Sequence, residues 1–120
     1  MKIVQINAVY GTLSTGKITR DIHRALLNNN HESYVFWGTG CKTEAEDKNI
    51  FRIGNTLDHK IHALLYRLDK RQGWHSRFAT YNLCKKLKKI SPDVVHLHNL
   101  HSNLLLLVLI NLPNFLVIFH

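Results

Sequence analysis

Cysteine is scarce. Cys41 and Cys84 are the two in the chain, far apart and in no CxxC pair. They offer neither a disulfide framework nor a zinc ribbon, and they suit a reducing cytosol. Acidic residues are also few: 8 Asp and Glu stand against 16 Lys and Arg, for a net charge of +8. The nine histidines add positive charge in mild acid. Such a surface favours anionic partners, whether nucleic acid, acidic lipid or phosphorylated substrates, and charge alone does not choose among them. Nucleic acid is not the expected partner, because no helix-turn-helix signal, ribonucleoprotein motif or zinc-finger spacing is found. Long apolar runs are missing too. The best candidate, Leu104 to Phe119, is broken by Asn111, Pro113 and Asn114 and falls short of the about 20 apolar residues a spanning helix needs. At the amino end, Lys2 is followed by a short strand pattern and then polar residues, which does not read as a secretory signal.

What remains is ordinary globular material. A chain of 120 residues with 45% hydrophobic and 20% charged content makes one domain, or part of a larger one. Its first thirty residues are the most informative. Ile3, Val4 and Ile6 mark a buried strand running from the start to Asn7. Gly11-Thr12-Leu13-Ser14-Thr15-Gly16 reads as a flexible, hydroxyl-rich turn. From Lys17, the residues Ile18, Ile22, Ala25 and Leu26 fall at helical spacing, and Asn28-Asn29-Asn30 is a natural stop. A strand feeding a helix through glycines aims the helix's unpaired N–H groups at one point, which favours an anion.

Further strands are expected at 33–38, 49–54 and 94–98. Between the last two lie helices with Leu57, Ile61, Leu64, Leu65 and Leu68, and then Ala79, Leu83, Leu87 and Ile90, facing inward. Residues 42–49 read as a surface loop. In the tail, 104–112 reads as a short buried helix and 115–119 as a strand. The alternation of strands and helices predicts an α/β domain with a mostly parallel sheet.

Four groups could carry chemistry. The glycine loop, through Gly11, Ser14, Thr15, Gly16 and Lys17, could hold a phosphate or a sugar hydroxyl, or simply turn the chain. It is no P-loop, because Ile18 stands where Mg²⁺ ligation needs a hydroxyl. His98, Asn99 and His101 follow a strand at its carboxyl end, where open α/β sheets place ligands. His96 shares a strand face with His98, and it is the histidine expected to be buried and hydrogen-bonded. No acidic residue follows nearby to complete a metal site, so no metal is expected. Arg71 and His75 could face an anionic acceptor, while Asp69 pairs with a neighbouring base and Trp74 packs beneath a helix. Lys85, Lys86, Lys88 and Lys89 form one solvated helix face, with attraction to anionic lipid as the sharper alternative.

These pieces have a familiar order. Lys2-Ile3-Val4-Gln5-Ile6-Asn7, Val9-Tyr10-Gly11, Ser14-Thr15-Gly16-Lys17-Ile18, Asn30-His31-Glu32-Ser33-Tyr34-Val35, Gly73-Trp74-His75-Ser76 and Pro92-Asp93-Val94-Val95-His96-Leu97-His98-Asn99 succeed one another. Over about residues 1–103 the chain resembles the N-terminal domain of bacterial family 4 glycosyltransferases, especially those of capsular and exopolysaccharide synthesis. The resemblance implies the N-terminal, Rossmann-like half of a GT-B fold, with the acceptor received mainly on this half. Gly11 and Ser14 to Lys17 would lie near the donor diphosphate, and His98, Asn99 and His101 on the acceptor side of the cleft.

The implied reaction moves a sugar from a nucleotide-sugar donor to a polysaccharide or lipid-linked acceptor, with no metal or other cofactor. The implied setting is the cytoplasm, or the inner face of the cytoplasmic membrane. The 104–120 tail departs from the family. Its leucine-rich stretch is compressed, and His120 stands where the family has a His-Asp pair. The expectation is a truncated enzyme that does not transfer sugar alone. The alternative is a non-catalytic α/β module that binds anions or glycans, either a degenerate relic or a subunit needing a partner.

Overall fold

The computed structural model describes residues 1–38, 48–53, 77–98 and 116–119, with the backbone alone at 77–80 and 119. Five strands and two helices alternate: β1 (Lys2–Asn7), α1 (Leu13–Asn28), β2 (Glu32–Trp37), β3 (Ile50–Arg52), α2 (Arg77–Ile90), β4 (Val94–Leu97) and β5 (Leu116–Phe119). The strands form one sheet in the order β3-β2-β1-β4-β5. Every pairing is parallel. This is the Rossmann-like α/β arrangement expected from the sequence.

β1 lies at the centre, so both of its faces are covered, and five of its six residues are buried. Its side chains alternate between two different environments. Val4 and Ile6 join Phe36, Val95 and Leu97 under Leu83 and Leu87 of α2, with Ile53 closing the cluster. Gln5 and Asn7 point the other way, to α1. The two helices therefore sit on opposite faces, as right-handed crossovers leaving β1 and entering β4 require. The chain moves outward through β2 and β3, then returns to place β4 on the other side of β1. That reversal makes the carboxyl ends of β1 and β4 a topological switch point, the place where open α/β sheets generally bind ligands.

Local chemistry sets the ends of the elements. α1 closes with Asn30 at φ 60, His31 N–H donating to the Leu26 carbonyl and Asn30 N–H to the Leu27 carbonyl. This is the paired-bond stop expected of an Asn just past a helix. α2 ends at Ser91, with φ 51 and its N–H on the Leu87 carbonyl, and Pro92 prevents continuation. Asp93 then aligns β4 on β1. Its Oδ2 accepts from Lys2 N–H at 2.7 Å, and its own N–H donates to the Lys2 carbonyl.

The tail strand is borne out: β5 pairs with β4, Val95 opposite Val117. So is α2, with Leu83 and Leu87 buried and Ile90 partly so. The start of α1 differs from expectation. The helix begins at Leu13, four residues before Lys17, so Ser14, Thr15 and Gly16 belong to its first turns. The buried residues of the helix are Gly16, Thr19 and His23; of the apolar residues at helical spacing, Ile22 and Leu26 are half-buried and Ile18 and Ala25 exposed. The reason lies beneath the helix, where β1 and β2 present the polar residues Gln5, Asn7 and Ser33 and demand polar partners. Within 42–49, Lys48 and Asn49 form a turn. The helices expected around 57–68 and 104–112, and the rest of that loop, lie outside the described residues. Among the described residues, no helix is long and apolar enough to cross a membrane.

Candidate functional site

The β1–α1 connection rises at the carboxyl end of β1. Gly11 takes φ 69, a left-handed backbone that glycine adopts without a Cβ penalty. Two residues later Leu13 takes φ 56 although its side chain is 71% exposed. That conformation costs a residue with a Cβ about 1–2 kcal/mol. The loop is held by one backbone bond, Gly11 N–H to the Gly16 carbonyl at 2.9 Å. Helix and loop touch closely there. A Cβ built on Gly16 would lie 3.1 Å from Val9 Cγ2, 3.2 Å from Gly11 N and 3.3 Å from the Tyr10 carbonyl carbon.

The α1 N-terminus is open. Thr12 occupies the cap position but makes no side-chain capping bond, and the first turn carries no acidic residue. Ser14 and Lys17 are exposed, and Thr15 is half-buried. The helix dipole and the amides of this turn therefore meet no counter-charge from the turn itself.

Below the loop runs a buried polar layer that sequence reasoning missed. Asn7 Nδ2 donates to Thr19 Oγ1 at 2.8 Å, and Asn7 Oδ1 accepts from Ala8 N–H at 2.8 Å. Thr19 Oγ1 donates to the Thr15 carbonyl at 2.9 Å. Gln5 Nε2 donates to the Thr19 carbonyl at 3.3 Å. One turn further along α1, His23 Nδ1 lies 2.7 Å from Ser33 Oγ. These bonds lock the first turns of α1 to the end of β1. Leaving one such buried group unpaired would cost about 1–3 kcal/mol. The signal was present in the sequence, as polar residues at positions 5 and 7 of an otherwise apolar strand, and a threonine and a histidine four apart on the helix.

His98 follows β4 at the switch point. Its backbone N–H donates to the Ile6 carbonyl at 2.9 Å, and its Nε2 lies 3.0 Å from Gln5 Oε1. Its ring packs against that of His96, centroids 3.9 Å apart. The shared face expected of the two histidines is therefore observed, but the roles are exchanged: His98 is buried at 2% exposure and His96 only half-buried. The parallel register explains it, because His98 continues the strand over Gln5 and Asn7, at the covered centre of the sheet.

The structure thus brings Gly11, Ser14, Thr15, Gly16, Lys17 and His98 to one end of the sheet. Asn99, His101, Arg71 and His75, with Asp69 and Trp74, lie outside the described residues. Among the described residues, no group of three or more His, Cys, Asp or Glu side chains could hold a metal ion. Cys84 stands apart on α2, where burial pushes its thiol pKa up against the opposing pull of Lys88. No family model, curated protein or solved structure matches the chain.

Proposed function

We propose that the chain is the acceptor-side domain of a glycosyltransferase, of the family 4 kind its sequence resembles. On this reading, a sugar passes from a nucleotide-sugar donor to a polysaccharide or lipid-linked acceptor, without a metal. A second Rossmann-like domain supplies the donor's main contacts, so the 120 residues bind the acceptor and do not transfer sugar by themselves. The observation that carries the reading is an uncapped helix N-terminus at the sheet end where the strand order reverses between β1 and β4. Ligands of open α/β sheets bind at such a reversal, and a diphosphate suits such a helix end. The reading puts the chain in the cytoplasm, at the inner membrane face when its acceptor is lipid-linked. The exposed Lys85, Lys86, Lys88 and Lys89 suit that surface.

A second reading is supported by the same uncapped turn with its exposed Lys17: a non-catalytic module that binds anions or glycans. Ligand-detected NMR on the purified chain separates the two. The panel is UDP-, GDP- and CDP-sugars, a short acceptor glycan, and inorganic pyrophosphate. The glycosyltransferase reading expects the glycan to bind and the nucleotide sugars to bind weakly. Equal binding of pyrophosphate and every nucleotide sugar, lost in salt and with no glycan signal, favours the anion module. A folded chain that ignores the whole panel sinks both.

A further inference from the structure

The sheet face that carries α1 has an apolar step. α1 sits on β1 and β2, reaching Gln5 and Asn7 through Thr19 and Ser33 through His23. Beyond it lies the strip formed by β4 and β5. Val117 of β5 packs into the cluster under α2, so Leu116 and Ile118 alternate to the α1 side. There Leu116 is 62% exposed and Ile118 44%. α1 turns an apolar flank to the same strip. Residues advance about 100° per position around a helix, which sets Ile18 and Ile22 beside Thr19 on the side away from His23. His23 reaches β2, so that flank faces β4 and β5. Ile18 is 44% exposed and Ile22 half-buried. The helical spacing of Ile18, Ile22, Ala25 and Leu26 thus marks the wall of the step, and Leu116 and Ile118 mark its floor.

We propose that this step is an interface with a second copy of the chain. Its dimensions suit a second sheet. Stacked sheets lie about 10 Å apart, and a helix with its side chains is about 10–12 Å thick. A partner's β4–β5 strip laid face to face on this one is therefore level with α1, and its β5 edge meets the α1 flank. A two-fold axis along the strands makes the contact isologous, each step receiving the β5 of the other copy. The edge itself favours such cover. β5 ends the sheet, and Leu116-Val117-Ile118-Phe119 holds none of the Lys or Pro that guard exposed edges, whereas β3 at the opposite edge carries Arg52. Charge points the same way. Two chains of +8 repel each other. Ile18, Ile22, Ala25, Leu116 and Ile118 bring no charge to the step, and Lys85, Lys86, Lys88 and Lys89 stand on α2 across the sheet. The pairing therefore keeps the two lysine clusters on its outer sides. It does not depend on what the switch point binds.

Sedimentation equilibrium of the 120-residue chain, from micromolar to several hundred micromolar, is the test. The expected result is a rise from one chain mass to two. Ile18→Glu and Ile118→Lys alter exposed side chains, so circular dichroism should find both variants folded. Each buries an unpaired charge in the pairing and should weaken it by about a hundredfold. Mixing the two variants sets the new carboxylate of one copy beside the new ammonium of the other, and association should return. Tyr81→Lys, on the α2 side of the sheet, should leave it unchanged. Methyl NMR reports without any substitution. The Ile18, Ile22 and Ile118 signals should move with concentration, while that of Ile53, buried under α2, stays fixed. A folded chain that remains one mass at several hundred micromolar overturns the proposal. So does a dimer indifferent to both charged variants, a mixture that does not reassociate, or a dimer whose Ile18 and Ile118 methyl signals do not move.

Discussion

Thr19 serves three partners at once, through its hydroxyl to Asn7 and Thr15 and through its carbonyl to Gln5. Replacing it with valine keeps the shape and removes the hydroxyl. Asn7 then loses the acceptor for its buried NH₂, and Thr19→Val should destabilise the fold by about 1–3 kcal/mol in urea unfolding. Thr19→Ser should recover most of that loss. Gly16 is the second sensitive residue. Alanine in a helix interior normally gains about 1 kcal/mol over glycine. Here the new methyl would press on Gly11 N and the Tyr10 carbonyl carbon, and the Gly11–Gly16 bond keeps that backbone from retreating. Overpacking of this kind costs about 1–3 kcal/mol. Gly16→Ala should therefore be neutral to destabilising, and it should shift the NMR amide signals of Tyr10 and Gly11.

The stop of α1 depends on one left-handed residue. Asn30 tolerates φ 60, alanine does not, and glycine tolerates it best. Asn30→Ala should lower stability by about 1 kcal/mol, and Asn30→Gly should match or exceed the original chain in the same unfolding assay. This stop was readable from three consecutive asparagines. The beginning of α1 was not, because its first turn, Leu13-Ser14-Thr15, has the composition of a turn, and its cap Thr12 forms no side-chain bond to announce itself. The buried face of α1 was not legible either, because apolar spacing normally marks that face. Ile18 fits that spacing, yet it is exposed, since the helix is seated on polar strand residues. α2 lies over an apolar face, so its Leu83 and Leu87 pattern was legible without the sheet.

At the scale of the molecule, charge and topology divide the surface. Lys85, Lys86, Lys88 and Lys89 are exposed on α2, which packs on the sheet face opposite α1. Replacing all four with glutamine should weaken binding to phosphatidylglycerol vesicles strongly, because each lysine near an anionic membrane contributes about 1 kcal/mol at low salt. Added salt should weaken the original chain in the same way. Stability should change little, with Lys86 the exception, since its ammonium lies 4.9 Å from the Phe51 ring centre. Such a contact is worth about 0.5–1 kcal/mol at an exposed site. Vesicle co-sedimentation measures the first effect, and thermal unfolding the second.

The sequence by itself determined the α/β class, the parallel strands and the glycine connection after β1. These follow from periodicity and turn chemistry, which act over a few neighbouring residues. It also marked His98 as the residue leaving β4 at the carboxyl end, where open α/β sheets generally place ligands. Only the tertiary structure decided that His98 rather than His96 is the buried histidine. Only it joined Gln5, Asn7 and Thr19 into one layer. Gln5 and His98 lie 93 residues apart in the chain and 3.0 Å apart through their side chains. That meeting depends on the return of the chain to place β4 beside β1, and on a register that sets His96 opposite Gln5. No local pattern encodes such a contact, because it exists only once the sheet has formed.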